Sequence, residues 1–287
     1  MLKNHRQFVL GLMCFCCSTL FAQVREIAIT IDDLPFVGST HNDPGRIRRE
    51  NERLTKILDT LNQYNVPATG FVIAGTIEKD QWQLLEKFRD DGYQLGNHTY
   101  SHRSLNSVTA HQYTQDIKRA DKVLAPLLVG TKYFRYPYLA ESQGEKKQQV
   151  YEFLTALGYV IAPVTVDSKD FQFNAQFLAI HWRNRQQNLP SFKKRYLNFI
   201  WNQTLKAEAK AKKRGDADSR QILLIHANLL NSLVLKDIIE MYQKNGYKIV
   251  SLDAILSTET RPGEGNPKAM LLSPLLKSLL EKSPSVD

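Results

Sequence analysis

Beyond residue 17 the chain contains no cysteine; Cys14, Cys16 and Cys17 are its only three. The rest of the protein can therefore form no disulfide and offers neither a thiol nucleophile nor a thiolate metal ligand. Long apolar runs are equally scarce. The one notable uncharged stretch, Phe8 to Ala22, follows Lys3 and Arg6 and is too short to span a bilayer comfortably. That layout predicts a signal peptide over residues 1–22 with cleavage after Ala22, and a retained anchor as the lesser alternative. The protein is thus expected to be exported, periplasmic or secreted, with no stable membrane span after cleavage. There is no internal repeat and no Pro-rich or Ser-rich linker. Acidic residues are missing from one region in particular: residues 181–214 hold ten Lys/Arg against the single acid Glu208. The net charge of +9 is therefore a local feature. It suits a solvated helical cap, or a groove wall that holds an anionic polymer or sits on an anionic surface, and no nucleic acid is expected as a partner.

What is present is material for one sizeable α/β domain: 287 residues, 43% of them hydrophobic. Short β-rich runs alternate with amphipathic segments. Strands are expected at Ile27–Ile31, Ala68–Ile73, Tyr93–Gly96, Thr131–Phe134, Tyr159–Val166, Ile222–Ile225 and Tyr247–Val250. Helices are expected at about 46–64, 80–91, 109–125, 145–157 and 232–244, with Gly92, Gly158 and Gly246 as C-terminal caps. The alternation implies a parallel sheet, open or closed into a barrel. Between 172 and 218 it breaks into a basic helical insertion between the fifth and sixth strands. Two helices are expected there, turning at Leu189-Pro190. The catalytic domain then spans 23–256, followed by a tail, 257–287.

Polar residues recur at strand ends. Asp32 and Asp33 close the first strand, His98 and His102 follow the third, and Arg135 follows the fourth. Asp167 and Asp170 follow the fifth and His226 the sixth. In a parallel α/β fold the C-terminal strand ends are where sites assemble. The spacing of His98-Thr-Tyr-Ser-His102 would put two imidazoles on one face of a helical turn, and a carboxylate from another strand completes a three-ligand metal site with open positions. Adjacent residues on a strand point to opposite sides, so the two aspartates are expected to divide their roles, one ligand and one base.

These residues resemble the motifs of the polysaccharide deacetylases with the NodB homology domain, carbohydrate esterase family 4. Thr30-Ile-Asp32-Asp33 looks like the first motif and His98-Thr-Tyr-Ser-His102 the second. Arg135-Tyr-Pro137-Tyr138 looks like the third, Asp167-Ser-Lys-Asp170 the fourth, and Leu224-Ile-His226 the fifth. The resemblance covers about residues 25–256 and implies a distorted (β/α) barrel of about seven parallel strands. It also implies a metal-dependent hydrolase that removes acetyl groups from a carbohydrate polymer. N-deacetylation of GlcNAc units in peptidoglycan or a chitin-like glycan leads; an O-acetyl esterase on a xylan-type polysaccharide, or a small-molecule amidase or cyclic-imide hydrolase, remain alternatives.

Carried over by residue, the resemblance assigns Asp33, His98 and His102 to the metal, Zn2+ foremost and Co2+ or Ni2+ as possible substitutes. Asp32 becomes the general base with Arg135 as its ion-pair partner, and the Tyr138 backbone N–H an oxyanion donor. His226 becomes the general acid, oriented by Asp170. Tyr138, Leu224, Leu34 and Phe171 are expected to line the substrate groove. The last two depart from the family's usual Gly and Trp. Asn228 is expected to support His226 from behind.

Overall fold

The computed structural model describes residues 25–36, 43–215 and 219–256. The expected signal peptide and the tail from 257 lie outside the described residues. Among the described residues no helix is long and apolar enough to cross a membrane.

The described residues form eight parallel strands: β1 (Arg25–Leu34), β2 (Ala68–Val72), β3 (Gln94–Asn97), β4 (Lys132–Phe134), β5 (Tyr159–Ile161), β6 (Val166–Asp167), β7 (Ser219–His226) and β8 (Lys248–Ile249). Helices α1 (Pro44–Tyr64), α2 (Lys79–Asp90), α3 (Ala110–Leu124) and α4 (Gly144–Ala156) occupy the first half. They are followed by α5 (Asp170–Ala179), α6 (Trp182–Lys213), α7 (Leu229–Lys244) and α8 (Leu252–Leu256). The sheet runs β5-β4-β3-β2-β1-β7-β6, with β8 paired to the start of β1 beside Glu26 and Ile27. It curls into a distorted (β/α) barrel.

The expected strand over 159–166 is two strands, because its two ends serve opposite edges of the sheet. Ala162 N donates to Phe134 O on one edge, and Thr165 N donates to Ile222 O on the other. The turn through Pro163 carries the chain across the gap.

Two cores follow from the alternation along β1. Ile27, Ile29 and Ile31 face outward into a cluster with Leu54, Leu58, Leu230 and Ile238 of the surrounding helices. Ala28 faces inward, where it meets Phe71, Tyr133, Ile222, Leu252 and Ile255. Helix α8 thus closes the barrel floor, and Tyr133 OH donates to Asp253 Oδ1 at 2.7 Å across it.

The basic segment departs from expectation. There is no turn at Leu189-Pro190; the break falls at Ile180-His181, and α6 runs unbroken for 32 residues through Pro190. An interior proline costs a helix about 3 kcal/mol. Fully burying side chains such as Phe192 and Ile200 contributes about 1.5–3 kcal/mol each. Phe192, Tyr196, Ile200 and Thr204 recur every four residues on the buried face, while Pro190 is exposed. Packing wins. Helix α6 is therefore the barrel's own connection between β6 and β7 rather than a solvated cap. Its end reaches the floor, where Glu208 accepts from Arg25 Nε (2.8 Å) and Tyr247 OH (2.7 Å). Lys206, Lys210, Lys212, Lys213 and Arg214 cluster there, at the opposite end from the strand termini that carry Asp32, His98 and His226. They cannot form a wall of the catalytic groove.

Candidate active site

The two aspartates do not point apart. The β1–β2 register slips between Ile31 and Leu34, and Asp33 takes a left-handed backbone conformation (φ 58°). This bulge turns Asp33 back toward the rim that Asp32 already faces. His98 Nε2 consequently lies 3.9 Å from Asp32 Oδ2 and 3.3 Å from Asp33 Oδ1. The division of roles now rests on their partners, not on opposite faces.

Residues 98–102 are a compact loop, not a helical turn. Thr99 and His102 both have positive φ, and side chains replace the helical backbone bonds. Asn97 Oδ1 accepts from Thr99 N (2.7 Å), Thr99 Oγ1 from His102 N (3.0 Å), and Asp116 of α3 from Tyr100 N, Ser101 N and Ser101 Oγ. The outcome is still a pair of imidazoles, their ring centroids 5.0 Å apart. His98 Nδ1 donates to Arg135 O at 2.8 Å, which leaves the Nε2 lone pair facing Asp33.

The ligand atoms of Asp33, His98 and His102 all lie within 4.8 Å of one another. Asp33 Oδ1 is 3.0 Å from His102 Nε2, yet it is buried and accepts no properly directed hydrogen bond among the described residues. An orphaned buried carboxylate oxygen between two imidazole nitrogens is costly unless a cation bridges them. One carboxylate and two imidazoles is a donor set suited to zinc. Burial opposes ionisation of Asp33, but His102 and His98 outweigh it and hold the carboxyl below the usual carboxylate range.

Asp32 has a different neighbour. Arg135 Nη1 donates to Asp32 Oδ1 (2.9 Å) and to Thr30 Oγ1 (2.7 Å). Its Nε and Nη2 donate to Ala162 O and Pro163 O, both at 3.1 Å, and its guanidinium stacks 4.3 Å over Phe71. Burial disfavours the Arg135 charge and outweighs the support from Asp32, so its pKa lies below the ordinary arginine value.

Across the triad stands a second charged pair. His226 Nε2 lies 3.9 Å from Asp33 Oδ2, while its Nδ1 bonds Asp170 Oδ1 at 2.7 Å. Burial disfavours the imidazolium, but Asp170, with Asp33 and Asp32 adding to it, raises the His226 pKa to about 10. Asn228 Nδ2 reaches Asp170 Oδ2 (2.7 Å), and so does Asn231 Nδ2 (2.5 Å). Asn231, and the Tyr196 OH behind it, were not legible in the sequence; the Asn228/Asn231 spacing at a helix start was the one available signal.

The expected groove residues divide. Tyr138 is 69% exposed, and its ring packs 4.7 Å from that of His102. Phe171 is 49% exposed beside Asp170, and Leu224 shares the inward face of β7 with Ile222 and His226. Leu34 is a correction: it is fully buried in the outer core, where it fills the space that the absent side chain of Gly70 leaves. It lines no groove. Asp167 turns away as well, to Lys169 at 2.6 Å.

Fold and site together define a distorted (β/α) barrel with a carboxylate–imidazole triad at its C-terminal rim, flanked by two charged pairs. Residues 22–161 match the family model described as polysaccharide deacetylase. Over that stretch, just under half of the chain, the protein carries the likeness of a polysaccharide deacetylase domain. It is 30% identical over 148 residues to a peptidoglycan-N-acetylglucosamine deacetylase of Bacillus cereus, a match over 51% of this chain and 46% of that protein. It is 28% identical to a chitin deacetylase of Arthroderma benhamiae over 51% of this chain and 35% of that one. The matched stretch thus spans less than half of either relative. Among solved structures, the Bc1960 peptidoglycan N-acetylglucosamine deacetylase superposes with a TM-score of 0.57 at 24% identity, covering 82% of this chain and 89% of that chain. This likeness establishes the fold.

Proposed function

We propose that the protein is a metal-dependent carbohydrate deacetylase that removes N-acetyl groups from GlcNAc units of peptidoglycan or a chitin-like glycan. The observation that carries this reading is the pairing on either side of the triad. Asp32 with Arg135 supplies a base, and His226 with Asp170 supplies an acid. Amide hydrolysis needs both, because water must lose a proton and the departing amine must gain one. The deacetylase relatives named above support the same substrate class.

Asp33, His98 and His102 would hold the ion. When bound, a divalent ion of zinc's class would supply Lewis-acid polarisation of the acetyl carbonyl. Asp32 accepts the proton of the attacking water as the C–O bond forms. Arg135 holds the carboxylate in place during that transfer. The Tyr138 N–H donates to the developing oxyanion. As the C–N bond breaks, His226 Nε2 delivers its proton to the amine, and acetate leaves. Tyr138, Leu224 and Phe171 are assigned to the sugar and its acetyl group. Export to the periplasm or outside the cell is proposed from residues 1–22.

Acetate release from peptidoglycan, chitin oligomers and acetylated xylan, with and without chelator and added zinc, tests the proposal. Loss of release with chelator, recovery with zinc and failure of the Asp32→Asn protein are expected. Chelator-insensitive turnover, or full activity in Asp32→Asn, overturns it.

A further inference from the structure

Four N–H groups converge on one buried carboxylate. His226 Nδ1 donates to Asp170 Oδ1 at 2.7 Å. Oδ2 accepts from His226 N at 2.7 Å, Asn228 Nδ2 at 2.7 Å and Asn231 Nδ2 at 2.5 Å. Asp170 is 1% exposed. Only an N–H can face Asp170 Oδ2 and the His226 carbonyl together, and Asn231 Nδ2 does so, reaching His226 O at 2.9 Å. The orientation of the amide is therefore fixed by chemistry. Tyr196 of α6, fully buried, secures it from the other side by donating to Asn231 Oδ1 at 3.0 Å.

We infer that Asn231, locked by Tyr196, is a positioning residue that aims the Asp170–His226 pair, and through it the delivery of a proton to the leaving group. Asn231 touches both members of the pair, the carboxylate of one and the backbone carbonyl of the other. It cannot touch substrate, because it is fully buried. Asn228 has a second duty that Asn231 lacks: its Oδ1 caps α7 by accepting from Asn231 N at 2.9 Å. Substituting Asn228 would disturb the helix start. Substituting Asn231 removes the side-chain bonds and leaves that cap in place. The inference also gives α6 a part in the site, through Tyr196 rather than through its lysines.

The turnover half of the test rests on the deacetylase reading, and the spectroscopic half does not. The full chain is prepared as wild type, Asn231→Leu and Tyr196→Phe. The first readout is the His226 Nδ1–H proton in histidine-labelled NMR spectra at one fixed pH. A short bond to a carboxylate shifts such a proton strongly downfield. That signal should be present in wild type, displaced or lost in Asn231→Leu, and intermediate in Tyr196→Phe. The second readout compares a chitin oligomer with 4-nitrophenyl acetate, whose leaving group departs without a proton. A general acid contributes about 10²–10⁴-fold. In Asn231→Leu, kcat on the oligomer should fall by about 10²-fold with KM little changed, while hydrolysis of the aryl ester stays near wild type. An unmoved NMR signal in both variants overturns the inference, and so does an equal loss on both substrates. If wild type turns over neither substrate, the deacetylase reading fails and the NMR signal alone decides the positioning role. Should Asn231→Leu not fold, Tyr196→Phe carries the same two comparisons.

Discussion

Arg135 donates to Asp32 across 2.9 Å with its own side chain fully buried, and the same guanidinium bonds the two carbonyls of the turn that separates β5 from β6. One side chain thus aims the proposed base and ties together the two open edges of the barrel. Breaking a buried ion pair by removing one partner costs about 3–5 kcal/mol, because the other charge stays buried. Arg135→Met should lower the unfolding midpoint by that order as well as abolish turnover. Arg135→Lys should rescue little, since an ammonium cannot reproduce the planar fork that meets four acceptors. Asp32→Asn keeps the shape and an acceptor oxygen but removes the charge that balances the buried Arg135. It should remain folded with a lowered urea midpoint, while kcat drops by about 10²-fold or more. Arg135→Lys and Asp32→Asn, compared by urea denaturation beside acetate release, separate loss of stability from loss of the base.

The triad predicts a stabilising ion. Any ligand that binds only the folded state adds about 2.7 kcal/mol at a hundred times its Kd. Zinc should therefore raise the thermal midpoint of the wild-type protein and leave that of an Asp33→Asn, His98→Gln double variant unmoved. Calorimetric titration should show zinc binding lost in that variant. It should be weakened, about 10–100-fold, in Asp116→Ala, whose loop no longer fixes His102. Equal midpoints with and without zinc in wild type would remove the metal from the site.

His226 sets a pH window. Its folded-state pKa is raised to about 10 from an ordinary value of 6.5. A group raised on folding contributes its full stabilisation below the unfolded value and loses it as pH climbs through the folded one. In chelator, the urea midpoint of wild type should therefore fall between about pH 7 and 10.5 more steeply than that of His226→Gln. Added zinc should shift the wild-type loss to lower pH, because a cation beside Asp33 repels the imidazolium. Identical pH profiles for the two proteins would count against the Asp170–His226 pair as the source.

Much of this is legible in the sequence. Strand ends carrying Asp32, His98, Arg135 and His226 announced a rim site, because alternation of short β-rich and amphipathic segments is a strong local signal. What escaped was set by contacts between distant residues. Nothing local marks Asp33 as a bulge; the slip exists because Leu34 must reach the core beside Gly70. Pro190 read as a turn because proline preference is local, while the burial of Phe192 and Tyr196 that overrides it is tertiary. Asn231 looked like any polar residue early in a helix until α6 and β7 brought Tyr196 and His226 to it. The basic stretch 181–214 reads equally as a groove wall or a solvated cap because sequence order gives no direction along a barrel, and its second half, 206–214, runs to the floor.

That direction yields its own prediction. Helix α6 carries Lys206, Lys210 and Lys213 to the floor beside the Arg25–Glu208 pair, away from the rim. Replacing all three lysines with alanine should leave kcat/KM on polymer and on short oligomers within about twofold of wild type, surface substitutions being worth at most about 0.5 kcal/mol. A selective loss on polymer would return the basic stretch to the groove.

Leu34 and Phe171 make the sharpest contrast, since both were expected to shape the groove. Leu34 is sealed in the core, so Leu34→Ala should cost about 2–5 kcal/mol of stability through the cavity it leaves. Once folded, that variant should bind glycan with an unchanged KM, because no substrate atom meets the side chain. Phe171 is half exposed beside Asp170, within the rim. Phe171→Ala should shift the unfolding midpoint hardly at all and raise KM for chitin oligomers, by up to about tenfold if one sugar face stacks on the ring for roughly 1 kcal/mol. Denaturation and steady-state kinetics on the two proteins should show opposite patterns. A raised KM in Leu34→Ala, or a destabilised Phe171→Ala with normal KM, would mean that the groove runs over β1 rather than along α5.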